Sequence, residues 1–551
     1  MTPAILFESE GYVLDGPRLM GRQSAGNGFL RAAVAGHAGE PIYGTSPTLQ
    51  SRDAFHKLVL SMDSQARPEW IPGQRLDLLA RRGILYRPDQ VLGGSARLRL
   101  RQGPASYSLC GVTHTLATSG TLHALADLQV APVGPWDALI CTSEAAVRVV
   151  ETVLQAQADY LAWRLNANQT DLLPQLPVIP LGVHCEDFAS SPAARAEARR
   201  TLDVSEDEVV VLFAGRLSVA GKAHPIPTYR ALETVAQATG RKLAILHAGK
   251  FFNRATEEAY HSALVQFCPS VRPIFVDGGN FAAYGDAWRA SDLFITLADS
   301  IQETFGLTPV EAMAAGLPTL VSDWNGYRDT VRDGLDGFRI STWAPGQGGD
   351  LFSLNYELQS LVGAGYDTYL SQTSTAVALD VAMLVDRLTR LVDDKDLRLQ
   401  HGASGQARAR ATFDWSVVYR RYQALWAELD IRRDAARRER GGWLSAAPRV
   451  QPAALGGFRT FASYPTELIQ PATMVHVRTG AGLAAFQSTT SHQLFALWNP
   501  PTDQVAAVLE SLAAGPLSVQ ALADKLRLPP IQVCELVARL SKLDLLSFSA
   551  S

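Results

Sequence analysis

Leu293-Phe-Ile-Thr-Leu-Ala-Asp-Ser-Ile-Gln-Glu-Thr-Phe-Gly-Leu-Thr-Pro-Val-Glu-Ala-Met-Ala-Ala-Gly-Leu-Pro318 reads as a buried strand, a loop and a short helix in succession. Leu293 to Leu297 is a short apolar run that delivers the chain to Asp299 and Ser300. Thr308 is suited to cap a helix, Pro309 to open it, and Glu311 to complete a capping box. Gly316 and Pro318 stop that helix after about two turns. In a doubly wound sheet ligands gather at the carboxyl ends of the strands, where this loop lies. The amides from Thr304 to Leu307 stand ahead of a helix N-terminus, where unpaired N–H groups and the dipole favour a diphosphate. Glu303 and Glu311 flank those amides. A carboxylate beside phosphate is repelled unless it serves hydroxyls, so sugar and ribose are their natural partners. Taken singly, Glu311 reads equally well as a cap and Glu303 as a surface acid; the spacing of the whole stretch carries the functional reading.

Around this stretch, from about Asp137 to Phe338, short β-branched runs alternate with longer helical patterns. Ala138 to Thr142, Val209 to Ala214, Leu243 to His247 and Ile274 to Val276 are the other buried strands. That alternation predicts an α/β fold with parallel sheets. Val178-Ile-Pro-Leu-Gly-Val183 reads as a last strand and turn, which puts a boundary between two Rossmann-like domains, 1–182 and 183–430, near Gly182. Residues 344–375, rich in Gly, Ser and Tyr, read as an inserted loop or lid. Helices follow to about Leu429. The run Ile431 to Arg440 reads as a solvated helix end, and 431–499 as a linker or extension. In 500–551, helices over Asp503–Ala513, Ser518–Leu526 and from Pro529-Pro530 to Leu543, then a strand at Leu545–Phe548, suggest a small α(+β) winged-helix-like unit.

Val209 to Ala214 runs into Gly215-Arg-Leu-Ser-Val-Ala-Gly-Lys222, a turn that aims Arg216 and Lys222 at one site. Two fixed cations there would stabilise charge building on a leaving phosphate without a metal. No Asp-x-Asp metal motif occurs in a suitable place. Met20-Gly-Arg-Gln-Ser-Ala-Gly-Asn-Gly-Phe-Leu-Arg31 sets three glycines, Gly26 and Gly28 among them, before a helical pattern, and Val112-Thr-His-Thr115 reads as a strand end carrying His114. Glycine-rich turns often serve close packing alone, and a lone His is often structural.

Composition narrows the remaining classes. The 551 residues imply about three folding units. Hydrophobic residues at 47%, charged residues at 19% and a net charge of -4 describe a globular chain with no global pull toward nucleic acid or anionic lipid. Five scattered cysteines form no CxxC pair, which argues against a disulfide framework or zinc site. No signal-peptide pattern and no apolar run approaching ~20 residues is visible, so a cytoplasmic location with at most peripheral membrane contact is expected.

The stretch from Asp299 to Pro318, continued by Val321-Ser-Asp-Trp-Asn-Gly-Tyr-Arg-Asp-Thr-Val331 and Asp336-Gly-Phe338, resembles the Glu-x7-Glu region of family 4 retaining glycosyltransferases, which adopt the GT-B fold. The resemblance covers nearly all of the second domain and, more loosely, the first, where Leu181 stands in place of the family's usual Asn. It implies transfer of a sugar from a nucleotide-diphosphate sugar, without metal or other cofactor, to a glycan, lipid or protein acceptor. Glu303 would then contact the donor sugar and Glu311 the ribose. Thr304, Phe305, Gly306 and Leu307 would line the phosphate site, with Gly26 and Gly28 on a loop facing the donor. Arg216 and Lys222 would stabilise the leaving group, and His114 would position the sugar.

Two other readings stay open at this level. One is a sugar-binding DNA regulator acting through 500–551. Lys525, Arg527, Arg539 and Lys542 are there offset by Asp524, Glu535 and Asp544, which favours a protein partner or dimer contact over nucleic acid. The other is a glycogen-synthase-like or phosphorylase-like enzyme, the latter needing a pyridoxal-phosphate lysine.

Overall fold

Apolar runs closed by turn residues collect into two sheets, because a parallel strand covered by helices on both faces carries side chains that all avoid water. Val209–Ala214, for example, is buried at every position. The computed structural model describes residues 2–14, 21–48, 50–166, 172–346, 353–439, 442, 444–495 and 499–549. Met20, Arg440, residues 347–352 of the expected insertion and 550–551 of the expected C-terminal unit lie outside them. The chain divides into two units, Met1–Gln451 and Pro452–Ser551.

The first unit holds two six-stranded sheets, each wholly parallel. β1 (Ala4–Leu6), β2 (Ile42–Ser46), β3 (Pro68–Pro72), β4 (Ile84–Tyr86), β5 (Ser108–Val112) and β6 (Ala138–Ile140) are ordered β3-β2-β1-β4-β5-β6. β7 (Val209–Ala214), β8 (Leu243–Gly249), β9 (Arg272–Asp277), β10 (Leu293–Thr296), β11 (Thr319–Ser322) and β12 (Gly337–Ile340) are ordered β12-β11-β10-β7-β8-β9. Both are doubly wound, and in the second the order reverses between β7 and β10. The expected α/β architecture of two Rossmann-like lobes is therefore present.

Four local expectations differ from the structure. Val178 to Val183 forms no named strand; it makes single bridges, Val178 with Cys141 and Val183 with Asp414. Residues 344–375 are not an unstructured loop: they include the helices Ser353–Ser360 and Tyr366–Ser374, bracketed by β13 (Thr342–Trp343) paired antiparallel with β14 (Ala378–Leu379). The helix Trp415–Arg438 ends largely exposed, as expected, with one exception. Its Arg433 is 3% exposed and donates to the Gly83 carbonyl at 2.6 Å and to Ser108 Oγ at 3.1 Å. Trp415, Tyr419, Tyr422 and Trp426 surround Phe29. A helix placed by sequence with the second lobe thus completes the core of the first.

The fourth difference concerns the C-terminal unit, which begins well before residue 500. β15 (Met474–Val477) is the middle strand of an antiparallel sheet with β16 (Leu517–Ser518) and β17 (Leu546–Ser549). Phe486, on the helix Leu483–Thr490, is 2% exposed within the unit's core. The segment expected as linker therefore supplies the central strand. The helices Thr502–Leu512, Val519–Leu526 and Pro530–Lys542 fall close to where the sequence places them, with Ser518 Oγ accepting from the Ala521 amide at 3.1 Å.

Candidate functional site

β7 and β10 are neighbours, and their carboxyl ends release the two loops singled out in the sequence. After β7, Gly215 takes φ +135°, and the loop folds back on itself through Ser218 N to Arg216 O at 3.0 Å and Lys222 N to Ser218 O at 3.1 Å. Leu217 N donates to Lys250 O at 2.9 Å, which pins the loop beside β8. The result brings Lys222 Nζ to 2.8 Å from Glu303 Oε2. Arg216 lies over the same loop, its Nη2 3.5 Å from where a Cβ on Gly221 would stand. It makes no ion pair or hydrogen bond among the described residues through its side chain.

After β10, the chain passes Asp299, Glu303 and Gly306 before the helix Leu307–Ala314. Gly306 caps that helix at φ +85°, and a methyl group there would stand 2.0 Å from the Tyr327 ring. Only glycine satisfies both the left-handed backbone and the close ring. The expected Thr308 cap and capping box with Glu311 do not form, because the helix starts two residues earlier and Gly306 gives no side-chain cap. The first-turn amides of Leu307 and Thr308 are thereby left without intrahelical partners, as an anion site requires. Gly316, at φ +77°, ends the helix as expected, with Leu317 N bonding Ala312 O at 2.9 Å.

The charges around this loop are unequal. Burial pushes the Glu303 carboxyl up, but the Lys222 ammonium and the amides of Thr304 and Phe305 outweigh it, so Glu303 is held below its ordinary value. Burial raises Glu311 to about 7, only partly opposed by Lys222, and its Oε2 is buried without a hydrogen-bond partner. Asp299, 4% exposed, is likewise raised to about 7 by burial; Oδ2 accepts from the His224 amide at 3.5 Å and Oδ1 has no partner. One acid is thus ionised beside a cation while two are held near neutrality, each with a bare oxygen.

Thr304 joins the lobes. Its Oγ1 donates to the His114 carbonyl at 3.1 Å, and its own carbonyl accepts from Ser143 Oγ at 2.7 Å. Ser143 also caps the helix Glu144–Leu165, whose first amide donates to Asp329 Oδ2 at 2.7 Å. His114, following β5, is therefore one hydrogen bond from the residue after Glu303. Burial, reinforced by Arg22, lowers its imidazole to about 4, so it is neutral at physiological pH.

Not every expected residue is placed for a ligand. Phe305 is 2% exposed, with its ring against Phe413, and only its backbone faces Glu303. Gly26 and Gly28 are not on a loop: both are buried inside the helix Gly21–Ala35. A methyl at Gly26 would meet the Gly11 carbonyl oxygen at 2.1 Å, and one at Gly28 the Trp415 indole nitrogen at 2.5 Å. These glycines serve close packing.

The structure also adds residues. Asn325 Nδ2 donates to the Glu303 carbonyl at 2.7 Å and Trp324 Nε1 to the Ser300 carbonyl at 3.0 Å, so the Trp324-Asn-Gly-Tyr327 turn holds the loop from behind. Tyr366, from the insertion, places its Oη 3.5 Å from Gln302 Oε1. Asp299 and the Trp-Asn-Gly-Tyr run were visible in the sequence, but nothing local tells that they back the loop. Among the described residues, no three His, Cys, Asp or Glu side chains gather as metal ligands, and no helix is long and apolar enough to cross a membrane.

Residues 194–344 match the family described as Glycosyl transferases group 1. The D-inositol 3-phosphate glycosyltransferase of Geodermatophilus obscurus is 29% identical over 252 residues, covering 40% of this chain and 50% of the relative. That of Rhodococcus erythropolis is 29% identical over 245 residues, covering 41% and 52%. The chain spans about half the length of the curated relatives it matches. The crystal structure of Anabaena Alr3699/HepE in complex with UDP superposes with a TM-score of 0.50 at 15% identity, covering 78% of this chain and 100% of that one, a likeness of fold. The stretch that carries β7 to β12 and the Lys222–Glu303 pair thus matches the glycosyl transferases group 1 family, within a GT-B-like pair of sheets.

Proposed function

We propose that the chain is a retaining, metal-independent glycosyltransferase of family 4, which moves a sugar from a nucleoside-diphosphate sugar to an acceptor. The observation that carries this reading is the convergence at one switch point of Arg216, the Lys222–Glu303 pair, a buried Glu311 and the opening of the helix Leu307–Ala314. Those groups match the needs of a departing diphosphate: cations and amides for the charge that builds on the β-phosphate, and acids for hydroxyls.

In this reading Arg216, Lys222 and the amides of Gly306 and Leu307 hold the diphosphate, Glu311 takes the ribose, and Glu303 with neutral His114 orients the sugar. The acceptor attacks from the face the nucleotide leaves, and its proton passes to the leaving phosphate. The anomeric configuration is retained. UDP, present in the Alr3699/HepE crystal, is the first nucleotide to test. We read the C-terminal unit as winged-helix-like, serving a protein partner or dimer contact, and the location as cytoplasmic.

The test is calorimetry of the full chain against UDP, GDP and ADP and their sugars, followed by NMR of the product anomer. Heat with one nucleotide, abolished in Lys222→Ala, and an unchanged anomer are expected. No heat with any of them sinks the proposal.

A further inference from the structure

The helix Ser353–Ser360 has no buried residue, and together with the turn that follows it exposes four large apolar side chains. Leu354 is 65% exposed and Leu358 59%; Leu361 and Leu361's neighbour Val362, on the following turn, reach 80% and 81%. Positions 354, 357 and 358 share one helical face, so Glu357, itself exposed, stands beside the leucines. Tyr356 points the other way. Its Oη accepts from the Ser119 amide of the first lobe at 2.9 Å, and its ring stacks on Tyr369 at 4.5 Å. Tyr366 meanwhile reaches Gln302, next to Glu303. The helix is therefore tied to the first lobe through Tyr356, and the next helix, Tyr366–Ser374, reaches the loop of Glu303 through Tyr366.

We infer that this face docks a cationic, amphipathic polypeptide segment, and that the segment belongs to the acceptor. From Ala344 to Leu379 the charged residues are Asp350, Glu357 and Asp367, with no Lys, Arg or His. A carboxylate beside leucines opposes entry into hydrocarbon, and an acidic segment is repelled by an anionic lipid surface. A two-fold contact whose axis passed near Glu357 would set it against its own equivalent. Leucines matched by apolar side chains, with Glu357 met by Lys or Arg, satisfy both features together. Docking stands on this geometry alone; the acceptor role rests on the glycosyltransferase reading.

The full chain is titrated with a fluorescent Leu/Lys amphipathic peptide, and separately with phosphatidylglycerol and phosphatidylcholine vesicles, alongside sedimentation of the chain alone. Saturable peptide binding is expected, weakened about ten-fold or more by Leu354→Ser/Leu358→Ser and by Glu357→Lys, with melting temperature and UDP binding unchanged. Equal peptide affinity in wild type and variants overturns the inference. So does vesicle binding, or a dimer, that the leucine variant abolishes. Absence of UDP binding in the wild type sinks the glycosyltransferase reading and leaves the peptide result standing; peptide failure with UDP binding intact sinks this inference alone.

Discussion

Lys222 Nζ lies 2.8 Å from Glu303 Oε2, so the cation assigned to a leaving phosphate is held by the acid assigned to the sugar. Each is the other's counter-charge until a ligand arrives. Lys222→Ala therefore acts twice. Turnover falls by ~100-fold or more, as loss of a charge-stabilising group does. The buried Glu303 also loses the partner that holds it below its ordinary value, and the melting temperature drops. Initial rates and thermal melts separate the two effects.

Arg216→Ala removes a side chain with no ion pair among the described residues, so turnover falls by a similar ~100-fold while the melting temperature stays at the wild-type value. Equal loss of stability in both variants would mean that the two cations are structural.

Glu311→Gln changes the pH dependence of stability. The carboxyl is raised from an ordinary 4.5 to about 7, so the folded chain binds more protons than the unfolded chain across that window. Its contribution is fully present below 4.5 and is lost as pH rises through about 7. Urea unfolding of the ligand-free variant should show a flatter pH profile between those limits, and a gain on the order of 1 kcal/mol at pH 8. An unchanged profile would place the Glu311 proton elsewhere.

Gly306→Ala forces a methyl into the left-handed region and against Tyr327. Backbone strain and overpacking together should cost about 2–4 kcal/mol, read by urea unfolding. The Gly306→Ala/Tyr327→Ala double variant should recover the overpacking part relative to Tyr327→Ala alone, and not the backbone part.

Arg433→Met tests the closing helix. It removes a buried guanidinium from the Gly83 carbonyl and Ser108. Loss of about 2–4 kcal/mol is expected, with nucleotide affinity unchanged, because the site lies elsewhere.

The second lobe was legible because its strands are apolar on both faces and its loops are punctuated by glycine and proline. Val209–Ala214 has the bounds its composition implies. The C-terminal helices were legible through amphipathic spacing, the Ser518 cap and the Pro529-Pro530 opening. What escaped depends on distance in sequence. The glycines at 26 and 28 read as a loop, since nothing local announces Gly11 or Trp415 as the neighbours they make room for. The Thr308 cap failed because Gly306 can take φ +85° and start the helix earlier. Arg433 looked like a surface charge in a charged run, and only the first lobe's carbonyl at Gly83 explains its burial.

The way Trp415–Arg438 completes the first lobe also sets a timetable for biosynthesis. Phe29 and Tyr86 leave the ribosome several hundred residues before the tryptophans and tyrosines that shield them. At ordinary translation speeds the lobe waits roughly tens of seconds with part of its interior open to water. Synthesis order and assembly order therefore diverge, and the nascent chain is most vulnerable to misassociation in that interval.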